Sequence, residues 1–401
     1  MTQPGKEPAP PSNVISDAAQ SGAAEDAHSR ETAQWLHAME DAIARQGSRR
    51  AAYLLGRLEQ YARDHGVPAA DDAGSEVEKC LDVGISRPYS VLGSITRSNE
   101  ELAANFPGRT ADDIFQRTGI QSRRWVGADE TSLTMAVAAA RKALAGEGLE
   151  VDQIDGMICA TGAFLRITPS LACSLHHQLA GGEPRRPIPC YDLLAACSGY
   201  IYALCAAYDS IRARPDTKVL IVTTEVGSWA IDPADFDTAI LFADAATATM
   251  VYGSKWRHKM RAILRRPVIS ARGDDGSTLC LPLRGRGPVT MDGTKLAIDA
   301  VRSMAAVLGQ ACAEVGIGIK DLDLIIPHQA NGRIIRTLRA IMDLPPERVL
   351  DCIRDVGNTS SSSLPLILSD VLSPEMKKQR IGLCAFGGGV TFGAAVLETG
   401  C

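Results

Sequence analysis

The sequence has 401 residues, of which 45% are hydrophobic and 22% are charged, and its formal net charge is -5. This length and composition predict a globular protein of two or three domains with a large core. We expect no nucleic-acid partner, because no basic domain is present, and no membrane partner, because no uninterrupted apolar run reaches the length of a membrane span. The eleven cysteines lack metal-binding spacing, which favours reduced thiols in the cytoplasm.

The N-terminal part of the chain divides into three predicted segments. Residues 1–30 are rich in Pro, Ala, Ser and Gly, which predicts a disordered lead without a signal sequence. Residues 31–66 are predicted to form a helical hairpin, because apolar residues recur at helical spacing on both sides of Gly47 and Ser48. The two apolar stripes consist of Trp35, Leu36, Met39 and Ile43, and of Tyr53, Leu54, Leu58 and Tyr61. Residues 67–83 are polar and are predicted to be a linker.

From residue 84 onward the sequence has the pattern of an α/β core. Short apolar segments are each followed by a helical stretch, as in βαβ units: DGMICAT, KVLIVTTE, DLIIPHQ and RIGLCAF. Two helices that are apolar nearly all round are predicted to begin at Cys197 and Asn358, which indicates burial at the centre of the fold. Two such helices, about half a core apart, predict an internally duplicated fold.

Cys197 follows two alanines and precedes a Ser-Gly pair at the start of the first buried helix. A thiol there lies in the positive field of the helix N-terminus, close to unpaired backbone N–H groups, and both stabilise a thiolate nucleophile. A cysteine in an alanine-rich run is more often a core residue, so that alternative stays open for Cys197 taken alone.

His328 and Asn358 are the other two candidate catalytic residues. His328 follows an apolar strand in IIPHQANG, and loops at the carboxyl ends of strands are where open α/β folds place ligand-binding groups. Asn358 stands in DVGNTSSSSLP, which is also typical of a helix cap. Each residue alone allows a structural role, whereas the three together favour catalysis.

In combination, four segments resemble the β-ketoacyl-acyl-carrier-protein synthase III family of the thiolase superfamily. They are AACSGYIYAL at Cys197, PHQANGRII at His328, GNTSSSSLP at Asn358 and the C-terminal AFGGGVTFGAAVL. Three further segments match in family order: RTGIQSRRW at Arg117, LFADAATA at Asp244 and MDGTKLAIDA at Asp292. The resemblance covers the chain from about residue 84. It implies a thiolase-like five-layered αβαβα fold with two similar halves, 84–255 and 256–401, a homodimer, and no metal or other cofactor.

The resemblance also implies a mechanism and a partner. Cys197 would take an acyl group from a thioester, and His328 and Asn358 would bind the carbonyl of a malonyl thioester during decarboxylation and Claisen condensation. The backbone N–H groups of Cys197 and Gly388 would form the oxyanion hole. Acyl carrier protein would dock on the helix face that carries three arginines at a spacing of three residues: Arg333, Arg336 and Arg339.

The sequence departs from the family pattern around the substrate. Where the family holds the adenine of coenzyme A between a tryptophan and an arginine, this chain has Asp113 and Phe236. Loss of this clamp predicts that acyl groups arrive on a protein-borne arm rather than on free coenzyme A. Thr168 replaces a bulky aromatic residue of the acyl pocket, which leaves room for a longer or polar chain.

The hairpin is foreign to that family and resembles the N-terminal segment of the homodimeric pyruvate dehydrogenase decarboxylase component. The resemblance implies docking on the subunit-binding domain of a lipoyl-bearing acyltransferase, and a simple dimerisation hairpin is the alternative. Two rival functions also stay open at this stage. They are an acyltransferase that forms an ester or amide on the same scaffold, and a non-catalytic subunit of a heterodimeric synthase.

Overall fold

The computed structural model describes residues 82–400 except 164–165, 183–184, 274–276, 284 and 374–375, together with scattered positions between residues 34 and 61. The chain divides into two compact units, Met1–Ser75 and Glu76–Cys401. The predicted disordered lead lies outside the described residues, as does the predicted linker except for its last two positions.

The described residues of the first unit are helical on both sides of Gly47. Gly47 has a φ of 78°, and its N–H donates to the carbonyl oxygen of Ile43 at 2.9 Å, as at a helix end closed by a left-handed glycine. The hairpin itself stays a prediction, because many of its positions lie outside the described residues. Large apolar side chains of this unit are exposed, among them Trp35 at 59% and Tyr61 at 64%.

The second unit is an α/β fold. Its described strands are β1 Val83–Ile85, β2 Tyr89–Leu92, β3 Ile95–Ser98, β4 Ser122–Trp125, β5 Gly156–Ala160, β6 Cys190–Leu193, β7 Lys218–Val226, β8 Asp244–Gly253, β9 Ala262–Leu264, β10 Val268–Ala271, β11 Leu279–Cys280, β12 Thr290–Met291, β13 Leu324–Pro327, β14 Arg380–Gly387 and β15 Thr391–Thr399. Every residue of β7 and β8 is buried, which is typical of strands covered on both faces.

Helices alternate with these strands. They are α1 Asn99–Ala103, α2 Ala111–Thr118, α3 Ser132–Glu147, α4 Leu171–Ala180, α5 Gly199–Ala213, α6 Phe236–Ala239, α7 Gly293–Glu314, α8 Gly332–Ile341 and α9 Ser363–Val371. Local signals set their ends: α3, for example, begins at a capping box of Thr131 and Thr134 and ends at Gly148 with a φ of 61°. In the described part of the chain, α7 alone has the length and apolar composition of a membrane span, and its buried residues pack in the protein core.

The sheet shows the internal duplication that the sequence predicts. In the first half, β1 pairs with β8 and β8 with β7 in antiparallel fashion, and β7 pairs with β5 in parallel. In the second half, β9, β15, β14 and β13 follow each other with the same three orientations. The halves join where β1 pairs with β9, and β6 forms the far edge.

The helices complete five layers. Residues of α5 and α9 pack between the strands of the two halves, α3 and α4 cover the outer face of the first half, and α7 and α8 cover that of the second. The predicted five-layered fold is therefore confirmed. The two central helices begin slightly later than predicted, because the turns 196–198 and 360–362 are 3-10 turns that lead into α5 at Gly199 and α9 at Ser363.

Candidate active site

Cys197 lies in the tight turn between β6 and α5. The residue before it, Ala196, has a φ of 46°, a left-handed conformation that strains any residue other than glycine. This turn directs the thiol inward, and only 7% of the Cys197 surface is exposed. Strain of this kind is typical of functional sites, because the surrounding structure must hold it in place.

Two cavities meet at Cys197. The first, which we call the apolar cavity, has a volume of about 370 Å³ and is lined mainly by hydrophobic side chains, among them Leu194, Trp229, Leu281 and Val289. The second, which we call the arginine-lined cavity, has a volume of about 380 Å³. Its wall carries His328 and Asn358 together with Arg117, Asn331 and Arg333. The three predicted catalytic residues therefore share one cavity.

His328 follows β13 and is 2% exposed. Its Nδ1 lies 2.7 Å from Ser363 Oγ, which itself accepts a hydrogen bond from the Gln329 N–H at 3.4 Å. The Ser363 hydroxyl can donate its own proton to Nδ1, an arrangement that corresponds to the tautomer with the ring proton on Nε2. Burial lowers the pKa of His328 from 6.5 to about 3, so the ring is a neutral hydrogen-bond donor at physiological pH.

Asn358 is fixed by its neighbours at both ends. Its backbone N–H donates to the Leu241 carbonyl oxygen at 3.0 Å, and its carbonyl oxygen accepts from the Ala243 N–H at 2.8 Å. Its side-chain Oδ1 accepts from the Ser360 N–H at 2.9 Å. An amide oriented in this way presents Nδ2 as a second neutral donor.

The glycine run after β14 approaches the Cys197 turn closely. A Cβ on Gly387 would lie 2.6 Å from the backbone nitrogen of Cys197, and a Cβ on Gly388 would lie 3.0 Å from the carbonyl oxygen of Leu279. A side chain is therefore excluded at Gly387, and at Gly388 it would require Leu279 to shift. The predicted oxyanion-hole residues Cys197 and Gly388 both line the apolar cavity.

The thiol of Cys197 differs from the expectation drawn from its sequence. Burial raises the pKa of Cys197 from 9.0 to about 12, and the hydrogen bond from Ser360 only partly offsets this rise. The helix N-terminus favours a thiolate, but the loss of solvation outweighs it. Cys197 is therefore a thiol at rest, and acyl transfer requires that its proton be removed.

Two models of 3-oxoacyl-[acyl-carrier-protein] synthase III match this chain, one over residues 191–265 and the C-terminal model over residues 312–399. The β-ketoacyl-[acyl-carrier-protein] synthase III of Oleidesulfovibrio alaskensis is 34% identical over 329 residues, which cover 77% of this chain and 98% of that protein. The chain belongs to the 3-oxoacyl-[acyl-carrier-protein] synthase III family. It is accordingly an acyltransferase of the condensing type.

Other relatives of the synthase agree. The Roseiflexus protein of the same name is 36% identical over 307 residues. The match covers 72% of this chain and 90% of that protein. The crystal structure of the synthase III from Aquifex aeolicus superposes with a TM-score of 0.72 at 32% identity, covering 79% of this chain and 99% of that one. Residues 28–70 match the N-terminal domain of the pyruvate dehydrogenase E1 component, which agrees in part with the resemblance of the hairpin segment.

The positions of the adenine clamp serve other purposes in this synthase. The Asp113 carboxylate accepts hydrogen bonds from Thr110, whose N–H lies at 2.8 Å, and so caps α2. The Phe236 ring stacks edge-on against Phe106 at 5.0 Å and lies under the Arg109 guanidinium at 4.7 Å. Arg117 lies 5.5 Å from the same ring and forms an ion pair with Asp237 at 2.9 Å. Both clamp positions are thus engaged within the chain.

The remaining predicted site residues are not all brought together. Arg333 lines the arginine-lined cavity, where its Nε donates to the Gln116 carbonyl oxygen at 2.9 Å. Arg336 and Arg339 do not line it; they lie farther along α8, on the side of Asp351.

Thr168 is exposed and is not among the residues that line the two cavities of the single chain, so its place in the acyl pocket stays a prediction.

Two residues of the site were missed in the sequence. Glu225, the eighth residue of β7, and Ser360 both line the apolar cavity beside Cys197. The signal for Glu225 was a carboxylate near the end of a predicted buried strand, KVLIVTTE, where an ionisable side chain is uncommon. Ser360 stands in a run of four serines, and the sequence gives no reason to select it from the others.

Proposed function

We propose that the synthase carries an acyl group on Cys197 and condenses it with a malonyl thioester whose carbonyl is bound by His328 and Asn358. The observation that supports this most directly is the convergence of two neutral donors and one thiol on a single cavity. Neutral donors suit this chemistry, because they stabilise a developing enolate without a prior charge that must be desolvated.

The first half-reaction is acyl transfer. The Cys197 thiolate attacks the donor thioester, the carbon–sulfur bond to the donor arm breaks, and the arm leaves as a thiol. Backbone N–H groups at Cys197 and Gly388 would hold the oxyanion. The acyl chain would then occupy the apolar cavity, whose walls offer it hydrophobic contacts.

The second half-reaction is decarboxylation and carbon–carbon bond formation. His328 Nε2–H and the Asn358 amide would donate to the thioester carbonyl of the malonyl group as CO2 leaves, and the enolate carbon then attacks the Cys197 thioester. The Cys197 thiolate departs and is protonated again. The ring orientation set by Ser363 and the amide orientation set by Ser360 provide the positioning that this step requires.

For the donor, we favour a carrier-borne phosphopantetheine arm. The Phe236 ring is already covered by Arg109 and Arg117, so an adenine would have to displace these contacts. The Arg117 guanidinium suits a phosphate, and Arg333 at the same cavity adds a second. An acidic acyl carrier protein that docks on α8 would place its arm at this opening.

We also propose a homodimer that pairs through β6. This strand forms an unpaired sheet edge, and Tyr191 on it and Leu194 just after it are 43% and 68% exposed. Pairing with a second copy would cover such an edge. The start of α4, three residues after Thr168, lies beside this strand, because the Leu171 N–H donates to the Asp192 carboxylate of β6 at 2.6 Å. The Thr168 segment would then contribute to an interface rather than to its own acyl pocket.

The hairpin is the candidate docking segment for a second protein. Its exposed Trp35, Tyr53 and Tyr61 suit either the subunit-binding domain of a lipoyl-bearing acyltransferase or a second hairpin. Light scattering and titration with an isolated subunit-binding domain separate these cases. A variant with both Trp35→Ser and Tyr53→Ser that binds the domain as tightly as wild type does would refute the docking role.

We further propose a cytoplasmic location, where the described cysteines, none of which is paired, would stay reduced.

Intact-protein mass spectrometry tests the main proposal. Wild type and Cys197→Ala are incubated with acyl donors on coenzyme A and on carrier protein, and CO2 release from malonyl carrier protein is followed in parallel. We expect an acyl adduct on wild type alone, faster loading from carrier donors, and CO2 release that His328→Ala reduces at least tenfold. Loading without CO2 release would favour the acyltransferase reading, and the absence of any adduct would favour a non-catalytic subunit.

A further inference from the structure

Glu225 is a buried carboxylate in the wall of the apolar cavity, and it is 5% exposed. Its Oε2 accepts a hydrogen bond from the Gly162 N–H at 3.1 Å, and its Oε1 accepts from Ser361 Oγ at 2.6 Å and from Ser360 Oγ at 3.3 Å. Among the described residues these partners are all neutral. A neutral glutamine could fill the same space at a lower cost of burial, so an ionisable group here calls for a chemical reason.

Ser360 connects this carboxylate to the nucleophile. Its Oγ lies 3.6 Å from Cys197 Sγ and 3.3 Å from Glu225 Oε1. Its backbone is held in the left-handed region, with a φ of 51°, and its N–H donates to Asn358 Oδ1. The hydroxyl can donate its own proton to Glu225 while a lone pair faces the thiol. Strain at a non-glycine residue that bridges two reacting groups is typical of a functional position.

Among the described residues that line the two cavities, His328 is a poorer acceptor for the thiol proton than Glu225. His328 Nδ1 is engaged by Ser363, and burial holds the pKa of His328 near 3, which makes it a weak base. Burial instead raises the pKa of Glu225 from 4.5 to about 7, where a carboxylate can both accept and return a proton at neutral pH. The geometry and the chemistry of the two residues therefore agree.

We propose that Ser360 and Glu225 form a proton relay that deprotonates Cys197 for acyl transfer. The S–H bond of Cys197 breaks as an O–H bond forms on Ser360, and the original hydroxyl proton of Ser360 moves to Glu225. The thiolate attacks the donor thioester, and the departing arm, which leaves as a thiolate, takes the proton back from Glu225 through Ser360. Ser360 touches the reacting sulfur, whereas Glu225 is a positioning residue that acts through it.

This inference rests on the proposed acyl loading of Cys197, and its test compares the two half-reactions. Acyl loading is measured by rapid-quench mass spectrometry, and CO2 release from malonyl carrier protein is measured without an acyl donor. We expect Glu225→Gln and Ser360→Ala each to slow loading by about 100-fold, the usual scale for general acid–base catalysis, with CO2 release within about threefold of wild type. The double variant should load no more slowly than either single variant, because both remove one pathway.

Three further variants keep the test decisive. Glu225→Asp keeps the carboxylate and should recover at least part of the loading rate, which a purely structural role would not require. Ser361→Ala removes a hydrogen bond to Glu225 without touching Cys197, so its loss should be smaller than that of Ser360→Ala. Glu147→Gln is the matched control, because this carboxylate accepts from the hydroxyls of Tyr89 and Tyr252 outside both cavities; it should load as wild type does.

The outcomes separate the two proposals. If wild type neither loads an acyl group nor releases CO2, the proposed function fails. If wild type loads and Glu225→Gln loads equally fast, the relay is refuted while the function stands. If Glu225→Gln slows loading and CO2 release alike, Glu225 has a structural role and the relay is likewise refuted; thermal melting of each variant identifies any loss of fold.

Discussion

The neutral state of His328 has a measurable consequence for stability. Burial lowers its pKa from an ordinary value of 6.5 to about 3 in the folded protein. The unfolded chain therefore binds more protons than the folded one between these two pH values. The stability that the neutral ring provides is complete above pH 6.5 and is lost as the pH falls through this window.

The magnitude follows from the same two values. At about pH 5 the imidazole of His328 is protonated in the unfolded chain and neutral in the folded one. Each pH unit below 6.5 lowers the unfolding free energy by about 1.36 kcal/mol, so the 1.5 units down to about pH 5 lower it by about 2 kcal/mol. Between about pH 7.5 and pH 5, wild type should lose about 2 kcal/mol of unfolding free energy more than His328→Gln does. All other titrating groups are common to both proteins and cancel in this difference.

The assay is urea unfolding of the two proteins at both pH values, followed by tryptophan fluorescence. A control variant, His177→Gln, replaces an exposed histidine on α4 and should follow wild type at both values. Equal losses for wild type and His328→Gln would refute the reasoning, because His328 would then be as easily protonated in the folded state as in the unfolded one. It would also remove the neutral donor from the proposed mechanism.

Three further predictions concern the cavities. Phe236→Arg restores one half of the adenine clamp and should raise kcat/KM for coenzyme A donors relative to carrier donors by about fivefold, as expected for one cation–π contact; an unchanged ratio would show that the clamp position does not set donor choice. Gly387→Ala places a Cβ against the backbone of Cys197 and should cost about 1–3 kcal/mol of stability in urea unfolding together with most acyl loading, whereas normal loading would contradict the close approach. Trp229→Ala enlarges the apolar cavity and should shift the preferred acyl chain toward greater length in a competition assay, and an unchanged profile would place the acyl chain elsewhere.

The run from Ser360 to Ser363 shows what a sequence can and cannot disclose about this site. The sequence indicated that a polar segment precedes a buried helix there, and the structure has this arrangement, although the N-cap side chain of α9 makes no capping hydrogen bond. It could not separate four identical side chains that have different partners. Ser360 faces the thiol of Cys197, Ser361 bonds to the carboxylate of Glu225, Ser362 to the hydroxyl of Thr223, and Ser363 to the ring of His328. These assignments depend on which strands lie opposite, and strand order is not a local property of the chain.

The positions of strands and helices could be predicted from the sequence more fully than the pKa values of the site, for a related reason. Hydrophobic period and length mark central strands and helices within a single window of sequence, so the two buried helices could be placed to within a few residues. A pKa depends on the solvent that every surrounding element excludes. The helix N-terminus at Cys197 is visible in the sequence, whereas the burial that raises the pKa of its thiol is not.

The duplicated architecture explains how one buried site can deprotonate a thiol. The turns that precede α5 and α9 have the same form, each opening with a left-handed residue, Ala196 at 46° and Ser360 at 51°. They meet face to face, since a Cβ on Gly199 would lie 3.2 Å from that of Ser361. Two helix N-termini thus point at one small volume, and both favour a single negative charge there. Proton transfer from Cys197 to Glu225 moves that charge from carboxylate to sulfur and creates no second buried charge. The higher pKa of the thiol, about 12 against about 7 for Glu225, is the cost that remains, and attack on the thioester must offset it.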